Sequence, residues 1–402
     1  MDEEKIHMLV QQWLKEKGYD NALGALQKES GIVSGDAEVG GQLLSVLYEH
    51  AEMKASLLES APEDLLQGEK RAAEEELIKL PLEVPVPTEH GHVFSHIHAG
   101  NIIACQFNCT GGHFATGSSD TSVKILCVQQ KKVLRTINTH GAPVLSVSFH
   151  PSKPHLLLST AMDGTTALSH ADKTPPEVLQ TWKDHQKYVT RAVWARDGSA
   201  FATCSHDKSA VVYRLAEGGT EDEPKFEKKQ MLQFTSIPEA MEFLDDSMTL
   251  VVSVRGDNYL HYIDIDTGDV NKANLNALGD DHVSFTVLDL SLSPNGKWLL
   301  ASTDKSRLLL YTVGTTMQLR YYYGAVNDDL CQTRACWHPS GAYIYVTSQD
   351  HKVYCWHVAS QKLVSRLVGH AAAVRDIAMS GDGKTLVSCA FDKTVRFWTI
   401  PE

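Results

Sequence analysis

The chain has 402 residues, 43% hydrophobic and 22% charged, which supplies enough apolar material for a large core and excludes wholesale disorder. Its net charge of −13 is unevenly spread: residues 1–90 hold 19 acidic and 8 basic side chains, and the remainder holds 31 and 29. Neither part carries the basic footprint of a direct nucleic-acid binder.

The N-terminus reads as helical. Residues 3–17 place Ile6, Leu9, Val10, Trp13 and Leu14 on one face, with Asp2 at the N-cap and Gly18 just past the C-terminus. A second helix follows Asp20, carries Ala22, Leu23, Ala25 and Leu26, and ends near Ser30-Gly31. Gly24 loosens it by about 1 kcal/mol. The hairpin, residues 1–36, is too short to bury its apolar stripe alone. The run from Leu9 to Glu29, with Trp13-Leu14, Gly18-Tyr19, Ala22 and Leu26, resembles the LisH motif. That resemblance implies a symmetric homodimer formed through Ile6, Leu9, Val10, Trp13, Leu14, Tyr19, Ala22 and Leu26. The alternative is that the stripe packs on a later helix of the same chain. An acidic start and an amphipathic helix argue against a signal peptide, and no apolar run is long enough to span a bilayer.

Residues 38–59 and 62–80 are expected to be helical, making 37–80 a helical linker region that either extends the dimer or packs on the propeller. Pro62 suits a first helical turn, and Glu74-Glu-Glu76 a solvated face. A stiff, proline-rich connector covers 81–88. Residues 89–97 then alternate like a strand. His90, His92, His96 and His98 share parity there, which raises a Zn or Ni site as a rival idea. An open outer strand does not build a closed site, so no metal and no cofactor are expected.

From about residue 98 one pattern recurs: a His, an alternating run, a turn, a second run, an Asp in a tight turn, and a third run. Five copies keep a near-constant His-to-Asp step: His98/Asp120, His140/Asp163, His185/Asp207, His282/Asp304 and His370/Asp392. Two more keep the Asp without the His, at Asp257 and Asp350; in the latter, Asp328 stands where the His would be. In the copy ending at Asp304 the Asp is displaced by one residue relative to its third strand. Seven copies mean seven blades. The last copy supplies only three strands, so 89–97 is expected to close its sheet from outside.

His370, Ser388, Asp392 and Trp398 match the hydrogen-bonded tetrad of the WD40 family, which the chain resembles over about three-quarters of its length. Elsewhere the Trp position holds Leu126, Ser169, Tyr213, Ile263 and Tyr311, with Trp again at 356. The resemblance implies an all-β seven-bladed WD40 β-propeller over residues 89–402, preceded by an α-helical LisH domain. The layout is similar to LisH–WD40 proteins such as Lis-one-like dynein regulators and cleavage-stimulation-factor WD subunits. Ser, His and Asp recur in blade after blade without a nucleophile elbow, so they read as architecture, not as a catalytic triad.

The expected function is a non-enzymatic, homodimeric scaffold or adaptor that binds partner proteins or peptides on one propeller face and assembles a multiprotein complex. The alternative is a subunit or substrate receptor of a ubiquitin-ligase complex. Candidate partner-binding residues lie next to the tetrad: Tyr188, Arg191, His206, Arg334, Gln349, Arg375 and Phe391, with the loop Tyr321–Asp329. The eight Cys have no CxxC spacing and read as reduced thiols, which fits a cytoplasmic or nuclear compartment.

Overall fold

Short alternating runs separated by Gly- and Asp-rich turns favour antiparallel strands, and the computed structural model of the protein contains 28 of them, β1–β28, among the described residues. The structure describes Val10, Gln11, Leu14 and residues 20–30, 63–81, 83–276, 282–283, 285–315, 317–327 and 332–401. The chain divides into two units between Ala72 and Ala73.

In the first unit Val10, Gln11 and Leu14 are helical, and α1 spans Asp20–Ser30. Gln27 Nε2 donates to Gln11 Oε1 at 3.4 Å, and Gln11 is buried. Val10, Leu14 and Leu26 are half-buried, while Ala22 is exposed. Ile6, Leu9, Trp13 and Tyr19 of the expected dimer stripe, and the helix expected over 38–59, lie outside the described residues. The helix expected over 62–80 is α2, Glu63–Ile78, and crosses the division between the units.

The strands of the second unit form seven antiparallel sheets of four. Blades 1 to 6 are β2–β5 (102–137), β6–β9 (144–182), β10–β13 (189–233), β14–β17 (238–274), β18–β21 (287–323) and β22–β25 (335–368). Blade 7 combines β26 (Val374–Met379), β27 (Thr385–Ala390) and β28 (Thr394–Thr399) with β1 (Glu89–Ser95). β1 pairs with β28 from Glu89↔Thr399 to Ser95↔Thr394, joining the start of the propeller to its end. The fold is a seven-bladed β-propeller.

Seven apolar clusters hold the ring, each shared by two neighbouring blades. Both faces of every sheet are therefore covered, which is why strands such as Leu156–Ala161 are buried throughout. Side chains at every position, not at every second one, leave water in such a sheet.

The propeller unit also starts earlier than residue 89. In its first turns Ala73 and Leu77, four residues apart on one helix face, enter the core between blades 5 and 6 beside Trp298, Trp337 and Trp356. Glu76 pairs with Lys297 at 2.8 Å and Glu74 with Arg320 at 3.2 Å. Leu80, Val84 and Val86 then pack on the core between blades 6 and 7, and Thr88 N–H donates to the Thr399 carbonyl at 3.0 Å. Residues 73–88 thus strap three blades before the first strand begins.

The four-histidine face does not form. A register shift between His90 and Val93 breaks the alternation of β1, and His96 adopts a φ of 60°. His90 lies against Trp398 with ring centroids 4.6 Å apart, His92 meets the edge of Phe94 at 4.6 Å, and His98 turns into blade 1. Among the described residues no group of three or more His, Cys, Asp or Glu is arranged to hold a metal ion.

Candidate partner-binding face

The loops entering each innermost strand and the turns holding the recurrent Asp lie at the same end of the antiparallel sheets, so together they make one face of the disc. Hydrogen bonds fix them. In blade 7 the Trp398 indole N–H donates to Ser388 Oγ at 2.8 Å, Ser388 Oγ lies 2.8 Å from His370 Nε2, and His370 Nδ1 lies 2.9 Å from Asp392. Asp392 also accepts from the Ala371 N–H at 3.0 Å and the Thr394 hydroxyl at 2.7 Å. Every side-chain polar atom of these four residues therefore has a partner.

Blades 1 and 3 repeat the arrangement without Trp. His98 bridges Thr116 and Asp120, each at 2.9 Å, and His185 bridges Thr203 at 2.9 Å and Asp207 at 3.1 Å. Tyr213, at the Trp position of blade 3, sends its hydroxyl to Asp184 at 2.9 Å. In blade 2 His140 reaches Asp163 through the Thr165 hydroxyl, 2.7 Å away. Blades lacking the His find other donors: Asp257 pairs with His261 at 2.8 Å, and Asp350 accepts from Tyr354 at 2.7 Å.

Blade 5 departs from the expected His282/Asp304 pair. His98, His140, His185 and His370 each precede their innermost strand by the same step, and His282 sits one residue too early for β18. Asp304 is early as well, and it accepts instead from the Thr286 N–H at 2.8 Å. Both shifts are in the same direction, so the spacing between the two residues survives while the geometry does not.

Burial lowers the pKa of His98, His140 and His185 below 6.5 and keeps them neutral. Such groups bind fewer protons folded than unfolded, so their contribution is complete above pH 6.5 and is lost as pH falls below it. Asp120 and Asp392 behave in parallel at lower pH. Burial alone would raise them, but hydrogen bonds from Ser122, Thr394 and the paired histidines hold them well below 3.8. The urea midpoint is therefore expected to be level above neutral pH, to decline below pH 6.5, and to fall more steeply below 3.8. A midpoint unchanged between pH 7 and 5 would contradict this account of the histidines.

The seven candidate residues separate into two groups. Tyr188 and His206 stack at 4.1 Å, with the Tyr188 hydroxyl in hydrogen-bond contact with His206 Nδ1 at 2.7 Å. The Arg375 guanidinium sits 5.0 Å from the centre of the Phe391 ring and also donates to Gln332. Gln349 N–H donates to the Val326 carbonyl at 2.9 Å. These five ring the mouth of the face. The expected loop Tyr321–Asp329 starts later than its sequence suggests: Tyr321–Tyr323 are the end of β21 (Gln318–Tyr323), paired with Arg307–Leu309, while Asp328 and Asp329 lie outside the described residues, as does Cys331.

Arg191 and Arg334 lie lower, inside the central channel. Their guanidiniums converge on Asp289: Arg191 through a direct ion pair and Arg334 at 3.2 Å. Asp289 is fully buried and also accepts the Ala335 N–H at 2.8 Å. Arg334 lies 4.0 Å from Asp376, whose carboxylate receives the Cys105 N–H at 2.9 Å. A recurrent bulge explains the placement. In six blades the innermost pairing shifts register once, just before Ala104, Ser146, Arg191, Ala240, Asp289 and Asp376. The bulge falls at one level of the ring, and there it sets Arg191, Asp289 and Asp376. Beside this bridge is a cavity of about 490 Å³, lined by Glu242, Arg196 and Gln106 among others. Burial raises Glu242 to about 7 against the pull of Arg191 and Arg196.

Met162 and Asp289 were missed in the sequence. Met162 occupies the position before the turn Asp, as His206, Gln349 and Phe391 do, and it is 45% exposed. That position alone could have found it. Asp289 is the one charged residue of the strand Val287–Leu292, and a buried carboxylate there is the signal of a partner across the channel.

A ring of four-stranded blades tied by His–Asp hydrogen bonds defines a repeat propeller with its loops presented on one face. The family model described as "WD domain, G-beta repeat" matches residues 88–126, 131–168, 176–214, 276–308, 324–357 and 361–399, together more than half of the chain. The chain belongs to the WD-repeat family. The unmatched blade is the fourth, which has neither the tetrad His nor a Trp. Relatives include the nuclear distribution protein nudF of Aspergillus niger, 21% identical over 79% of this chain and 63% of its own length. Transducin beta-like protein 3 of Rattus norvegicus is 24% identical over 75% of this chain and 37% of its own length. Pre-mRNA-processing factor 17 of Saccharomyces cerevisiae is 23% identical over 69% of this chain and 58% of its own length. The chain thus spans less than two-thirds of each.

Proposed function

We propose that the protein is a non-enzymatic scaffold or adaptor that binds partner proteins or peptides on the tetrad face, in the cytoplasm or nucleus, and acts as a homodimer through its N-terminal LisH-like hairpin. The observation that carries the reading is a rigid face with unsatisfied apolar side chains at its mouth. Phe391 is 38% and Met162 45% exposed, each on a backbone pinned by a hydrogen bond from its own N–H to the neighbouring loop. Aromatic and Arg side chains held this way are favoured hot spots. The Ser-His-Asp sets are committed to holding the loops and are not free for chemistry. Relatives named for nuclear distribution and pre-mRNA processing are in keeping with both compartments.

Two measurements test the reading. Tagged full-length protein and its Phe391→Ala/Arg375→Glu variant are recovered from cells and their bound proteins quantified. Stoichiometric partners are expected with the first and lost with the second; equal recovery would contradict the assignment of the face. For the dimer, the solution mass is expected to be twice 44.4 kDa, and 44.4 kDa for Leu9→Glu/Trp13→Glu. A monomeric parent protein would refute the dimer.

A further inference from the structure

The geometry points to a particular ligand chemistry: an acidic peptide segment carrying one large apolar side chain, seated across blades 7, 1, 2 and 3 of the tetrad face. This rests on the reading of that face as a partner site.

The apolar part comes from Phe391 of blade 7 and Met162 of blade 2, both exposed. Between them the corresponding position of blade 1 holds the small Ser119, which leaves a shallow step. Ile103 and Leu145, half-buried on the innermost strands, continue the apolar wall inward. The stacked Tyr188–His206 pair closes the arc on blade 3.

The charges of this arc are layered. Its carboxylates are recessed: the side chains of Asp120, Asp207 and Asp392 are 17%, 8% and 9% exposed. Each is occupied by an imidazole, a hydroxyl and backbone N–H groups. On blade 4, Glu239 is closed off by Arg255 at 2.5 Å. The cations stand outward. Lys187, Lys208 and Lys393 are exposed. Lys393 Nζ is tethered by one bond to the Ala99 carbonyl at 2.8 Å, and Lys208 Nζ by one to the Thr235 carbonyl at 3.2 Å. An ammonium has three donors, so each tethered lysine keeps donors for a ligand while its position is already restricted. Arg375 adds a guanidinium beside the Phe391 ring.

A ligand therefore meets donors first and finds the acceptors taken. Carboxylates flanking a Leu, Phe or Trp side chain satisfy the lysines while the apolar group covers Phe391 and Met162. A basic segment meets like charge at the rim, and beneath it the turn carboxylates Asp120, Asp163, Asp207 and Asp392 already accept hydrogen bonds from their own loops.

The test is selection of random displayed dodecapeptides on the immobilised full chain, followed by affinity measurement of the recovered sequences. Recovered peptides are expected to be rich in Asp and Glu around a large apolar residue, and to weaken with added salt. Phe391→Ala and Lys208→Glu/Lys393→Glu are each expected to weaken them about tenfold, a scale set by a single hot-spot contact. Recovery of basic peptides, affinities unmoved by these surface substitutions, or no enrichment at all would overturn the proposal. If Phe391→Ala/Arg375→Glu still strips partners recovered from cells, only the ligand chemistry is wrong. If neither experiment responds, the face itself is misassigned.

Discussion

Asp289→Ala is expected to destabilise the propeller by about 3–5 kcal/mol, the cost of leaving buried charges without their partner. Asp289 is fully buried between Arg191 and Arg334, whose side chains are each only 16% exposed. Removing the carboxylate leaves two guanidiniums facing each other in the channel. Burial and the Arg334 charge already lower Arg191 to about 10, so the arrangement has little tolerance for losing its anion. The loss is read from the urea midpoint of the full chain. Adding Arg191→Met to Asp289→Ala is expected to recover part of it, because the uncompensated charge is the cause. A loss under about 1 kcal/mol, typical of exposed pairs, would show that water reaches the bridge and screens it.

Trp398→Ala is expected to cost a similar amount, about 3–5 kcal/mol, for a different reason. Trp398 is 1% exposed and packs in the core shared by blades 6 and 7. Its ring also touches His90 on β1, so the residue sits where the start and end of the propeller meet. Trp398→Phe separates the two contributions. It keeps most of the apolar surface but removes the donor to Ser388, and is expected to cost about 1–2 kcal/mol. If Trp398→Phe is as damaging as Trp398→Ala, the hydrogen bond outweighs the packing and the account of this seam is wrong.

The seven-bladed fold was legible because the repeat is carried by local chemistry. Each Asp-centred turn and each alternating run can be recognised without knowing its neighbours, and the count survives the loss of any single tetrad. Blade 4 shows this: it keeps four paired strands although Asp257 has only His261 from its own blade as an imidazole partner. Blade 5 shows the limit. His282 and Asp304 keep the right spacing to each other, but spacing does not register them against the strands. The face was legible only in part. Tyr188, His206, Arg375 and Phe391 stand next to recurrent landmarks. Arg191 and Arg334 do too, yet their destination depends on Asp289, a residue far away in the sequence and opposite in the channel. Whether the helix before the connector extends a dimer or packs on the propeller stayed open in the sequence for the same reason. Leu77 reads as one of several apolar positions on a charged helix until Trp298, Trp337 and Trp356 are brought around it.

The central claim is that partners meet the tetrad face. Site-specific photo-crosslinking tests it most directly. A photoreactive amino acid is placed at Met162 on that face, and in a second protein at Glu217, in the loop after β12 (Ser209–Leu215) on the opposite face. Discrete crosslinked partner bands from position 162, absent at 217 and lost when Phe391→Ala is added, are the predicted result. Crosslinks at 217 with none at 162 would contradict the account and move the partner surface to the other side of the disc.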